Sequence, residues 1–174
     1  QGTGIESYKT NSKIFEFDAS SYKFTLFQEI ATEGASNWES FVIDNEQYLV
    51  VANYNNDAST NIDSMVYKYK DATDKFVNFQ SIATKGARGW ESFKMDDKQY
   101  IVVANEDDGT TRAINSFIYE YSFVTKQFVP YQTIATRGGY DWEAFQMGGR
   151  QYLVVANSLG RPFAVPEGGG GGRG

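Results

Sequence analysis

The chain has no cysteine and no histidine among its 174 residues. Without cysteine there is no disulfide framework and no thiol chemistry. Without histidine the commonest acid–base catalyst and metal ligand is missing. No apolar run approaches 18 residues, so nothing in the sequence is long enough to span a membrane as a helix. Asn-x-Ser/Thr acceptor sites are absent as well. Basic surface is scarce: 16 Lys and Arg stand against 22 Asp and Glu, a net charge of −6. That balance argues against nucleic acid, whose phosphates need neutralising, and against insertion at an anionic membrane. The chain begins with Gln1 rather than Met, which fits either a processed mature protein or an excised piece of a longer one.

What is abundant is aromatic. Thirteen Phe and twelve Tyr raise the aromatic share to 16%, and aromatic and β-branched residues favour strands. They fall at a fixed interval. Trp38-Glu39, Trp90-Glu91 and Trp142-Glu143 are 52 residues apart, and Asn53, Asn105 and Asn157 keep the same step. A period near 50 residues marks a repeat architecture.

Each repeat carries four strand signals. The A strand is Trp38 to Ile43, with copies at 90–95 and 142–147. A tight turn at Asp44-Asn45-Glu46, or at Gly148-Gly149-Arg150, leads to the B strand, Gln47 to Asn53. Its Leu-Val-Val-Ala run predicts burial on both faces. The C strand is Ser12 to Phe17, copied at 64–69 and 116–121. The D strand is Phe24 to Thr32, copied at 76–84 and 128–136, with Phe24, Leu26, Gln28, Ile30 and Thr32 expected on one face. Gly34-Ala35, Gly86-Ala87 and Gly138-Gly139 form the D–A turns. Four short strands per unit match one blade of an all-β propeller. A β-sandwich with chance repetition is the competing reading, and the invariant period weighs against it. Residues 1–160 are taken as the three-repeat propeller portion. Residues 161–174 are an irregular tail whose last seven residues are six glycines and Arg173, a flexible-linker composition.

The motif Gln-x-Ile-x-Thr-x-Gly-Ala-x-x-Trp-Glu-x-Phe, then Tyr-Leu-Val-Val-Ala-Asn and Ser-x-Ile-Tyr-x-Tyr, resembles the EAR (epilepsy-associated, or EPTP) repeat over residues 12–157. The resemblance implies an extracellular, secreted protein. It also implies a non-enzymatic recognition module that binds other proteins, with seven blades where this chain carries three repeats.

The strand order reads C-D, A-B-C-D, A-B-C-D, A-B, which is two whole blades between two half blades. Half blades leave open backbone edges, and three blades are too few to close a ring, since about four are needed. Two copies related by a two-fold axis would close six blades as a homodimer. The isologous interface would be on the order of 2,000–5,000 Å².

The recurrent tryptophans read as packing between blades rather than as a ligand platform. Glu39, Glu91 and Glu143 are expected to accept hydrogen bonds between blades. The alternatives are a channel cation such as calcium and a carboxylate pair of glycosidase type. Charges about 7 Å apart at an effective dielectric near 20 repel by roughly 2 kcal/mol per pair, so a bare ring of three is disfavoured. No cofactor is expected.

Ligand binding is assigned to the segments that vary between copies, since loops on a rigid scaffold usually carry function. In the B–C loops these are Tyr54, Asn55, Asn56, Asp57, Asp107, Asp108 and Arg112. In the D–A loops they are Asn37, Arg88, Tyr140 and Asp141. Their chemistry suits a protein or glycoprotein partner. It also suits a sugar, as in a lectin-like protein, and a matrix protein without a saturable ligand is a third possibility.

Overall fold

The computed structural model describes residues 7–159. Within them lie twelve strands: β1 Lys9–Asp18, β2 Lys23–Glu33, β3 Ala35–Ile43, β4 Glu46–Asn53, β5 Asp63–Lys70, β6 Lys75–Ala83, β7 Ala87–Met95, β8 Lys98–Asn105, β9 Asn115–Ser122, β10 Gln127–Ala135, β11 Gly139–Met147 and β12 Arg150–Asn157. They form two four-stranded antiparallel sheets, β3-β4-β5-β6 and β7-β8-β9-β10, and two hairpins, β1-β2 and β11-β12. A hairpin thus stands where each half blade was expected. The tail assigned to residues 161–174 lies outside the described residues.

Local chemistry explains the turns. Asp44-Asn45, Asp96-Asp97 and Gly148-Gly149 all have positive φ at both positions. This is the two-residue turn whose twist matches a β-hairpin, so the turn is one residue shorter than predicted.

The D strands depart from simple alternation. Ile14 pairs with Gln28 while Phe15 pairs with Leu26, which leaves Phe27 as an extra residue. Such a bulge reverses the facing of everything beyond it. Phe24 and Leu26 therefore lie on one face, and Gln28, Ile30 and Thr32 on the other, not all five together as the alternation suggested. The same bulge falls between Pro130 and Gln132.

Sheets pack face to face through three apolar cores. The largest joins the two full sheets through Phe41, Tyr48, Val50, Trp90, Tyr119 and Phe128. Burying an indole removes roughly 200 Å² from water, worth about 5 kcal/mol, and Trp90 is only 1% exposed. Trp142, on β11, fills the matching place against the second sheet. Trp38 packs half-buried between β1-β2 and the first sheet. The tryptophans are packing residues between sheets.

The B strands are buried on both faces in β4 and β8, where Val50, Val51, Ala52 and Ile101 to Ala104 are fully enclosed. In β12 the expectation fails, and Val154 is 53% exposed. Among the described residues that strand has β11 on one side and no strand on the other.

Candidate recognition face

The D–A turns and B–C loops meet at one end of the sheets and are laced together by backbone hydrogen bonds. Gly86 N–H donates to the Thr60 carbonyl at 2.6 Å and Thr84 N–H to Ile62 at 3.1 Å. Gly138 N–H donates to Arg112 at 2.6 Å and Thr136 N–H to Ile114 at 3.1 Å. Gly86 has a φ of +54°, and a Cβ there would lie 2.7 Å from the Asp107 carbonyl oxygen. Only glycine satisfies both conditions.

The expected D–A loop residues belong to strands. Ser36, Arg88 and Tyr140 are the extra residues where β3, β7 and β11 slip register against β4, β8 and β12. Bulges of this kind re-aim a side chain, and here they present three different residues at one repeated position.

Around Arg88 the structure brings together five of the residues expected from the sequence. The guanidinium carbon lies 3.6 Å from the Tyr54 ring centroid and 5.5 Å from that of Tyr140. Arg88 Nε donates to the carboxylate of Glu106, which is buried. Arg112 Nη1 approaches Glu106 Oε1 at 3.4 Å, and Arg112 Nε donates to Asp107 Oδ2 at 3.2 Å. The Asp107 contact, with the Glu106 charge behind it, raises the Arg112 pKa further. Glu106 was missed in the sequence because it read as one more loop acid. Its only signal is its place directly after Asn105, where the first repeat has Tyr54.

The other expected residues are elsewhere. Asn37 Oδ1 accepts the Trp90 N–H at 3.1 Å across the sheets. Asp141 lies against Gly89, its Oδ1 2.7 Å from where a glycine Cβ would be. Asn55 and Asn56 accept backbone N–H groups of their own loop. Asp57 accepts Ser7 Oγ at 2.6 Å and Tyr8 N–H at 2.8 Å, and these bonds lower its pKa. Asp108 accepts the Thr110 hydroxyl and the Thr111 and Thr110 N–H groups, which bring its pKa down to about 2.

Two of the recurrent glutamates, Glu39 and Glu91, join neighbouring sheets. Glu39 Oε1 accepts Ser92 Oγ at 2.7 Å, and Glu91 Oε1 accepts the Ala144 N–H at 3.1 Å. Burial, then the Glu39, Glu143 and Asp141 charges, push the Glu91 pKa up. Among the described residues no three His, Cys, Asp or Glu side chains converge to hold a metal ion. A cleft of about 780 Å³ lies between β1-β2 and the first sheet, and none of the three glutamates lines it. Among the described residues no helix is long and apolar enough to cross a membrane.

Three stretches of the chain, residues 23–70, 75–122 and 127–166, match the EPTP domain. The chain belongs to the EPTP-domain family. The first two matches each begin in a D strand and end in the next C strand, so the sequence unit straddles two sheets. The chain is 42% identical over 151 residues to the human thrombospondin-type laminin G domain and EAR repeat-containing protein, covering 87% of this chain and 22% of that one. It is 24% identical over 164 residues to the human leucine-rich repeat LGI family member 2, covering 89% and 27%. The chain thus spans about a quarter or less of the length of these relatives. Among solved structures, the Bombyx mori GH32 beta-fructofuranosidase BmSUC1 shares its fold with a TM-score of 0.50 at 10% identity, over 86% of this chain and 39% of that one.

Proposed function

We propose that this chain is a non-enzymatic, extracellular recognition module that binds a protein or glycoprotein partner through the face around Arg88. A second copy completes it as a six-bladed homodimeric ring. The observation that carries the binding reading is the Tyr54–Arg88–Tyr140 stack, fixed from behind by buried Glu106. Two tyrosines and an arginine, ordered before any partner arrives, are the residue types that concentrate binding energy at protein interfaces.

A lectin-like reading is supported by Tyr140, which is 52% exposed and is followed in the chain by the carboxylate of Asp141, an acceptor for sugar hydroxyls. Three equivalent sugar sites per chain are not favoured, because Ser36, Arg88 and Tyr140 differ at the bulge.

The test is binding to arrayed extracellular glycoproteins, with and without enzymatic removal of their glycans. Tyr140→Ala should weaken binding about tenfold or more, as interface anchors do, and leave the melting temperature unchanged. Capture that survives deglycosylation supports the protein reading, and loss of capture supports the sugar reading. Unchanged affinity in Tyr140→Ala would contradict both.

A further inference from the structure

We propose that β12 of one copy pairs with β1 of a second copy in a single register, set by Arg150 meeting Glu16. This rests on closure by a second copy and goes beyond it, to the strands and residues that meet.

The two complete sheets show the rule. β4 pairs with β5 as Tyr48↔Lys68, Leu49↔Tyr67, Val50↔Val66 and Val51↔Met65. β8 pairs with β9 as Tyr100↔Glu120, Ile101↔Tyr119, Val102↔Ile118 and Val103↔Phe117. Every position advances by 52. The next step along the B strand is Tyr152 to Val155. The corresponding C strand is β1, reached by stepping back 52 from β5. The third pairing is therefore Tyr152↔Glu16, Leu153↔Phe15, Val154↔Ile14 and Val155↔Lys13. Among the described residues β12 has no partner besides β11, and β1 none besides β2.

The charges agree with that register. At the B–C rim of the first sheet Glu46 meets Lys68 at 2.6 Å. In the second sheet the signs are reversed, and Lys98 meets Glu120 at 2.8 Å. The third pair of positions holds Arg150 and Glu16, again of opposite sign.

The polar contacts are half-built on both sides. Asn53 donates from Nδ2 to the Asp63 carbonyl and from its N–H to Ser64 Oγ. Asn105 does the same with Asn115 and Ser116. Asn157 already accepts the Arg137 N–H at 2.9 Å, just as Asn53 and Asn105 accept Glu33 and Lys85. Its Nδ2 has no acceptor among the described residues. On the other side, Ser12 Oγ already bonds Thr32 at 3.1 Å, as Ser64 bonds Thr84 and Ser116 bonds Thr136.

Exposure points the same way. Val154 and Phe15 are 53% and 52% exposed, whereas their equivalents Val50, Val102, Tyr67 and Tyr119 are buried. A second copy covers these residues, and the two-fold axis makes the junction twice, leaving neither of these edges open. The same step carries the Trp38 indole N–H to the Val155 carbonyl of the other copy.

The chain lacks cysteine, so the register can be read by cross-linking. Glu16→Cys chains are mixed with Tyr152→Cys chains and oxidised. A disulfide-linked species of about 39 kDa, twice the 19.5 kDa chain, is expected. Mixing Glu16→Cys with Val154→Cys, a slip of two residues, should give far less. No link in the first mixture, or a stronger one in the second, overturns the register. Native mass of the unsubstituted chain separates the two levels. A dimer with the wrong link overturns only the register, and a monomer overturns closure as well. If a cysteine variant fails to fold, charge reversal answers instead. Arg150→Glu should weaken association about tenfold over the two junctions, and adding Glu16→Arg should restore it. Reversal without effect, or without rescue, contradicts the assignment.

Discussion

The Trp90 indole N–H donates to the Val51 carbonyl oxygen at 3.1 Å, across the boundary between two sheets. Trp142 makes the same bond to Val103 at 3.1 Å. One side chain thus fills the gap and satisfies a buried carbonyl. Trp90→Ala should cost about 3–5 kcal/mol of stability, as core aromatics do. Trp90→Phe should cost less, keeping most of the ring while leaving the carbonyl unpaired, a penalty of about 1–3 kcal/mol. Denaturant unfolding at one fixed protein concentration checks the order. Equal stability of Trp90→Ala and the parent would contradict it.

Two glycine sites with positive φ should respond oppositely. Gly86→Ala places a Cβ against the backbone of Asp107, and the strained conformation costs about 1–3 kcal/mol. Gly148 and Gly149 have nothing within 4 Å of an added Cβ, and Asp44-Asn45 adopts the same turn. Replacing Gly148-Gly149 by Asp-Asn should leave stability unchanged or raise it, because the unfolded chain loses freedom. Melting temperatures of the two variants decide, and a destabilised Asp-Asn turn would contradict this.

Asp108 should contribute to acid sensitivity. Its carboxyl titrates near 2 in the folded chain, below the ordinary value of about 3.9. A lowered folded value means that the stabilisation is complete above the unfolded pKa and is lost as pH falls toward 2. The stability difference between the parent and Asp108→Asn should hold from pH 7 to about 5 and shrink between about pH 4 and pH 2. A difference independent of pH would show that the threonine contacts do not act through charge.

Glu91 has the opposite sign. Burial and neighbouring carboxylates raise its folded pKa, so its charged form opposes folding at neutral pH and its protonated form does not. Glu91→Gln retains an oxygen to accept the Ala144 N–H and should be more stable than the parent at pH 7. That advantage should fade as pH falls through the raised pKa toward the ordinary carboxylate range. A variant less stable than the parent at pH 7 would point to a favourable role for the charge.

The repeat, the strand types and the packing role of tryptophan were legible because each depends on residues recurring at a fixed step. The bulges at Ser36, Arg88, Tyr140 and Phe27 were not. An extra residue leaves no mark on composition, and only the partner strand reveals it. Glu106 was hidden for a related reason, since its importance comes from Arg88, 18 residues away on another strand. The open edge at β12 was legible in the half-blade strand order but not in its Leu-Val-Val-Ala run, which reads nearly the same in every repeat, while burial depends on which sheet edge is covered.

Ring closure is tested most directly by amide hydrogen exchange of the unsubstituted chain at micromolar concentration. β4 and β8 are central strands and set the reference for slow exchange. Closure predicts that residues 152–157 exchange as slowly as 48–53 and 100–105, with residues 12–17 protected alongside them. Fast exchange of both 12–17 and 152–157, beside slow exchange in β4 and β8, would contradict closure by a second copy.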